Sequence, residues 1–203
     1  MIKPNNYEEV QAMGEYTPIN LGGHKLVIIK VEECETSNGN QYIKVSFDTA
    51  RDDVQPNYYS NQYKQDTRTE KKWSGVTTVF PTDNEGKTSR AFKTFCTSVE
   101  KSNAGFKMVW GEQFCNALKG KLIGGVFGEE EYEGNDGEIK TARKLRWFRS
   151  IEGVMDADVP AKKTLAKEDA PAKKTLAKED APAFNSYTAP NFEELSDDDD
   201  LPF

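Results

Sequence analysis

Gly22-Gly23 leads into the run Leu26, Val27, Ile28, Ile29 and Val31, which predicts a first strand over His24–Glu33. Asn38-Gly39 then marks a hairpin turn, because both central positions of such a turn need positive φ. The partner strand, Gln41–Thr49, alternates: Ile43, Val45 and Phe47 fall on one face, Tyr42, Lys44 and Ser46 on the other. Residues 51–72 are polar and read as a long insertion, and Trp73–Phe80, rich in Val and Thr, as a third strand. The period then changes. Phe92, Phe95, Cys96 and Val99 make one helical stripe, with Thr88 or Ser89 as its cap and Asn103–Gly105 as its end. A second short amphipathic piece is expected near Glu112–Leu118. Gly120–Tyr132 and Glu138–Ile151 predict two further strands, joined by the turn residues Gly134-Asn135-Asp136-Gly137.

This order predicts a mainly β protein: a five-stranded OB-fold barrel with one helix between strands 3 and 4. Gly120, Gly124, Gly125 and Gly128 suit a strand that bends at barrel corners.

Composition changes the picture at one end. The chain has 203 residues, 36% of them hydrophobic, and a mean hydropathy of -0.77. Much of that polarity lies after Met155, where six lysines face twelve acids, so -6 of the net -7 sits there. Residues 1–155 keep 21 bases and 22 acids, near neutrality. Pro160–Ala170 reads PAKKTLAKEDA and Pro171–Ala181 repeats it residue for residue. Such a segment cannot bury enough apolar area to offset chain entropy, and a proline every eleventh residue interrupts a helix. The expected organisation is a folded domain over 1–155, a flexible linker over 156–195 and an acidic tip over 196–203, the last two a disordered C-terminal tail. No apolar run approaches the roughly 20 residues of a membrane span. Three cysteines (Cys34, Cys96 and Cys115) at unrelated spacings read as a reducing, cytoplasmic setting.

Catalytic constellations are sparse. His24, the only histidine, reads as a surface residue at a strand edge; no CxxC pair accompanies it, so no metal site is expected. Glu129-Glu130-Glu131 reads as a solvated edge, since neighbours on a strand alternate faces. Gly86-Lys87-Thr88 lies between a strand and a helix, as a phosphate-binding loop would. Yet Pro81 stands where that pattern needs glycine, and Asp83 and Glu85 put negative charge beside the phosphates. The chain is therefore expected to be no enzyme and to need no cofactor.

Two basic–aromatic stretches point elsewhere. One contains Tyr58, Tyr59, Tyr63, Lys64, Arg68, Lys71, Lys72 and Trp73; the other contains Lys140, Arg143, Lys144, Arg146, Trp147, Phe148 and Arg149. Rings can stack on any base while Lys and Arg follow the phosphates, a combination suited to single strands. With Tyr42 and Lys44 from the second strand, these residues (Tyr59 aside) form the predicted DNA-binding set. Trp147 and Phe148 are neighbours, so alternation puts one inward and one outward without saying which.

The chain finishes Asp197-Asp198-Asp199-Asp200-Leu201-Pro202-Phe203. A ring and an α-carboxylate on one residue suit a pocket with a basic rim. This tip resembles that of bacterial single-stranded DNA-binding proteins, where it docks replication, repair and recombination proteins. Most of residues 1–154 is similar instead to single-stranded DNA-binding proteins of phages infecting Gram-positive bacteria. The likeness lies in Pro4-Asn5-Asn6-Tyr7-Glu8, Lys101-Ser102-Asn103 with Gly105-Phe106-Lys107, and Leu118-Lys119-Gly120-Lys121 continuing to Gly125-Val126-Phe127-Gly128-Glu129-Glu130-Glu131-Tyr132. The resemblance implies sequence-tolerant binding and protection of single-stranded DNA in the host cytoplasm during phage replication and recombination. It also implies recruitment of partner proteins through Asp197–Phe203. Self-association into a homo-oligomer is left open. The alternative is an RNA-binding OB-fold or cold-shock-like protein.

Overall fold

The computed structural model describes residues 2–5, 7 and 17–165. Most of the expected linker and the whole tip, Asp197–Phe203, lie outside them. The elements are β1 (Gly22–Glu35), β2 (Gln41–Thr49), α1 (Tyr58–Gln65), β3 (Val76–Val79), α2 (Arg90–Ser102), α3 (Phe114–Leu118), β4 (Leu122–Glu133) and β5 (Ile139–Arg149). The strands form one antiparallel sheet in the order β3-β2-β1-β4-β5.

β1 is the central strand and pairs on both sides. His24, Leu26 and Ile28 point inward by alternation. Ile29 is then an extra residue against β2, which resets the phase so that Val31 also points inward. All five strands feed one hydrophobic core, with Val79 from one end of the sheet and Phe148 from the other. Phe47 on β2 and Phe127 on β4 meet at 6.3 Å although β1 runs between their strands. Alternate strands of a flat sheet lie about 9.5 Å apart, so the inner face is concave. α2 fills that concavity. The Ser89 hydroxyl accepts the Phe92 N–H at 3.1 Å, as an N-cap should, and Phe95 meets Phe148 at 5.2 Å. β2 is covered on both sides: Tyr42, Ser46 and Asp48 are as buried as Ile43, Val45 and Phe47.

Three expectations are corrected. His24 is fully buried rather than superficial. Its Nδ1 lies 2.7 Å from Asp53 Oδ2 and its Nε2 3.1 Å from the Asn20 carbonyl, and its ring meets Phe127 edge-on. Its place in phase with Leu26 and Ile28 carried that information. Residues 51–72 are no plain insertion, because they contain α1. That helix has no side-chain cap of its own, and its N-cap, Asn57, sits at φ 50. The cap comes from the end of β2. Asp48 Oδ1 accepts the Tyr59 N–H at 2.8 Å, Asp48 Oδ2 accepts the Ser60 N–H at 3.1 Å, and Thr49 Oγ1 accepts the Tyr58 N–H at 2.8 Å. Third, residues 156–165 lie on the body. The Lys163 N–H donates to the Glu129 carbonyl at 2.9 Å, and the Glu131 N–H donates to the Lys163 carbonyl at 2.8 Å, forming a parallel bridge on β4. Residues 156–165 therefore belong to the body and not to the expected linker.

Gly75 allows a close approach that shapes this region. A Cβ there would fall 2.3 Å from the Phe47 carbonyl oxygen and 2.8 Å from the Tyr59 ring.

Candidate nucleic-acid interface

The first basic–aromatic stretch is built on α1 and the strand entry that follows. Asp48 and Thr49 fix where α1 starts, and Phe47 stacks edge-on with Tyr59 at 5.5 Å. Tyr59 is thereby core, and Tyr58 lies half-buried against it at 4.9 Å. One turn on, Tyr63 meets Trp73 at 5.9 Å, and Lys71 Nζ sits 5.6 Å from the Tyr63 ring centre. The Trp73 indole N–H points at the carbonyls of Phe47 and Gly75, both at 3.2 Å, so one edge of the ring is anchored. Lys64 and Lys72 are exposed and have no ion pair among the described residues. Arg68 is different. It forms a two-pronged pair with Asp66, and that guanidinium hydrogen bond holds the Asp66 carboxyl down at about 2. The stretch thus presents a Tyr63–Trp73–Lys71 cluster flanked by two uncommitted lysines.

The second stretch is β5. Its register slips against β4 between Val126 and Phe127, leaving Arg146 as an extra residue. The slip resolves the ambiguity of Trp147 and Phe148. Leu145 and Phe148, three apart, both reach the core, and Trp147 is 46% exposed. Phe148, predicted as a stacking residue, is instead buried against Phe95. Most cations here are committed. Lys140 pairs with Asp136 at 2.6 Å, Arg143 donates to the Ile19 carbonyl at 2.6 Å, and Lys144 lies 3.9 Å from Glu130. The Lys140 hydrogen bond lowers the Asp136 carboxyl below its ordinary range. Arg146 is half-buried, and its Nη1 has no hydrogen-bond partner. Arg149, on the same face as Trp147, is exposed and free of ion pairs among the described residues.

The two residues taken from β2 do not join either group. Tyr42 is 8% exposed with its ring 5.7 Å from Phe80, so it packs rather than stacks. Lys44 is half-buried, cross-strand from Glu32 on β1 and Thr78 on β3.

Sequence reasoning passed over Trp110, the most exposed of the three tryptophans at 65%, which stacks on Phe114 at 5.6 Å and 14°. It lines a cavity of about 740 Å³ whose other walls include Glu32, Glu33, Glu35 and Glu112. Four carboxylates around one ring repel a phosphate backbone, which separates Trp110 from the two stretches above. Cys34 and Cys115 line the same cavity as free thiols; burial, and then the neighbouring Glu33 carboxylate, raise the Cys115 thiol above its ordinary value. Among the described residues no three His, Cys, Asp or Glu side chains are placed to hold a metal ion, and no helix is long and apolar enough to cross a membrane. Neither the protein-family models nor the curated proteins compared with this chain give a match.

Proposed function

We propose that this protein binds single-stranded DNA without sequence preference, through an OB-fold body. The observation that carries the reading is the pair of ring-and-cation groups at opposite ends of one concave sheet. Tyr63, Trp73 and Lys71 stand beside the β3 end, and Trp147 with Arg149 on β5. In an OB-fold the first strand pairs with both the second and the fourth, a helix separates the third from the fourth, and the third and fifth strands close the barrel. The first two of these features are present. Closure of β3 on β5 would bring both groups to the rim of one groove. Bases would stack on Trp73, Tyr63 and Trp147, while Lys64, Lys71, Lys72 and Arg149 follow the phosphates.

The reading assigns no catalytic step and no cofactor. It extends to protection of single strands during phage replication and recombination, in the host cytoplasm, with Asp197–Phe203 recruiting partner proteins. The supports for that extension are the acidic motif Asp197–Phe203 and the resemblance that covers most of residues 1–154.

Titration of tryptophan fluorescence with single-stranded DNA, duplex DNA and matched RNA tests the proposal. Single-stranded DNA should bind tightest, with log K falling against log salt at a slope of about −3 to −4 for four to six neutralised phosphates. Equal affinity for duplex, or a flat salt response, overturns it. Preference for RNA replaces it with the RNA-binding reading.

A further inference from the structure

The duplicated sequence acquires a physical meaning from where its first copy sits. Beyond Phe127, β4 has left β1, and its edge is open along Gly128–Glu133. Residues Pro160–Leu165 occupy that edge. Besides the two backbone hydrogen bonds of Lys163, Lys162 Nζ pairs with Glu131 at 2.8 Å and Lys163 Nζ pairs with Glu130 at 2.6 Å. The Leu165 N–H reaches a Glu131 carboxylate oxygen at 3.3 Å. Pro160 lies over Gly128, where a Cβ would come within 3.1 Å of its ring. The lysine hydrogen bonds hold both glutamate carboxyls below their ordinary range. Glu129-Glu130-Glu131 is thus the acidic half of a recognition site for a basic extended peptide.

Every contact just named is made by atoms of Pro-Ala-Lys-Lys-Thr-Leu, and the chain carries this hexapeptide again, eleven residues on, as Pro171–Leu176. We infer that the β4 edge is a binding site for this hexapeptide, with Pro171–Leu176 as an alternative occupant that replaces Pro160–Leu165. The first copy has the advantage of position, because it follows directly on Val159 beside Gly22, where the second copy has Ala170 before it. The second copy must also close a loop longer by eleven residues, a penalty that grows only logarithmically with length. Exchange changes the number of residues between the anchored hexapeptide and Phe203 from 37 to 26. The inference stands apart from DNA binding and does not depend on it.

Amide hydrogen exchange at Glu131, whose N–H donates to Lys163, reads occupancy directly in the full-length protein. Three variants are compared: K162E/K163E, K173E/K174E, and all four together. The second-copy variant should match wild type. The four-fold variant should exchange at the rate of an open edge. The first-copy variant should exchange at least about threefold more slowly than the four-fold variant, because the second copy takes the site. A synthetic PAKKTLAKEDA peptide added to the four-fold variant should restore protection saturably, and unchanged exchange at Val126 and Phe127 checks the fold. K163P and K163P/K174P, which remove the bridging N–H together with one lysine charge and leave Lys162 and Lys173 in place, should repeat the pattern. The inference is overturned if the first-copy variant matches the four-fold variant, if the four-fold variant keeps wild-type protection, or if the peptide restores none.

Discussion

The two basic–aromatic stretches look alike as sequence and differ as structure. In residues 58–73 the rings are held and the lysines are free: Tyr59 is core, Trp73 is anchored through its N–H, and Lys64 and Lys72 are uncommitted. In residues 140–149 most cations are held and the ring is free: Lys140, Arg143 and Lys144 have partners, Arg149 has no ion pair among the described residues, and Trp147 stands exposed. On the proposed reading, the same residue types would divide the work of holding a strand differently at the two ends of the sheet. The first end offers loose charge beside fixed rings, the second a loose ring beside Arg149 among otherwise fixed charges.

Removing the support of the first end gives the largest effect. D48A leaves the amides of Tyr59 and Ser60 without their acceptor, at about 1–3 kcal/mol for each buried group left unpaired. We expect about 3 kcal/mol less unfolding free energy in urea, together with weaker single-strand binding. Next, W147A should cost about 1–3 kcal/mol of DNA affinity. Its unfolding midpoint should barely move, because the ring is exposed. W73A should lower both quantities, since its ring also packs against the core. If W147A binds like wild type, the free ring is not a stacking residue and the comparison fails at that end.

Acid should also separate the two ends. Burial works to raise the Asp53 carboxyl, but hydrogen bonds from His24, Gln55 and Lys25 outweigh it, and the group lies below its ordinary value of 3.8. A depressed carboxyl contributes stability that is fully present above its ordinary value and lost as pH falls through the folded one. Below about pH 4 the segment leading into α1 should loosen before β5 does, and D53N should abolish that dependence; hydrogen exchange at the two ends across pH 2–5 measures it. Charge comes next. K64Q and K72Q should each flatten the salt slope by about 0.7 if both lysines meet phosphate, and K140Q, already paired with Asp136, by less. The smallest change in DNA binding belongs to deletion of 197–203. Affinity should stay level or tighten modestly at low salt, while pull-downs with replication proteins lose their partners.

The strands and α2 were legible because their signals are local: a period of two, a stripe at i, i+3, i+4 and i+7, a serine at the cap. α1 was not, because its cap sits nine residues earlier on another element. The inward placement of Phe148 was not legible either. A register slip breaks alternation, and nothing in Leu145-Arg146-Trp147-Phe148 announces it. His24 was misread by residue type, although its phase with Leu26 marked it as buried. Of the stacking candidates, Trp147 and the Tyr63–Trp73 pair stand at the surface or half-buried, whereas Tyr42 and Phe148 belong to the interior. Ring count alone could not separate them, since burial depends on partners contributed from distant strands.

The borrowed cap of α1 also orders events during folding. Eight residues with no cap of their own fall below the length at which an isolated helix persists in water. Tyr58–Gln65 can become helical only once β2 has brought Asp48 and Thr49 into place. Substitutions that alter helix propensity at its exposed positions, such as Asn61 or Lys64, should leave the refolding rate almost unchanged and appear in the unfolding rate instead. The segment that carries the first aromatic cluster should then form after β2 and open before it.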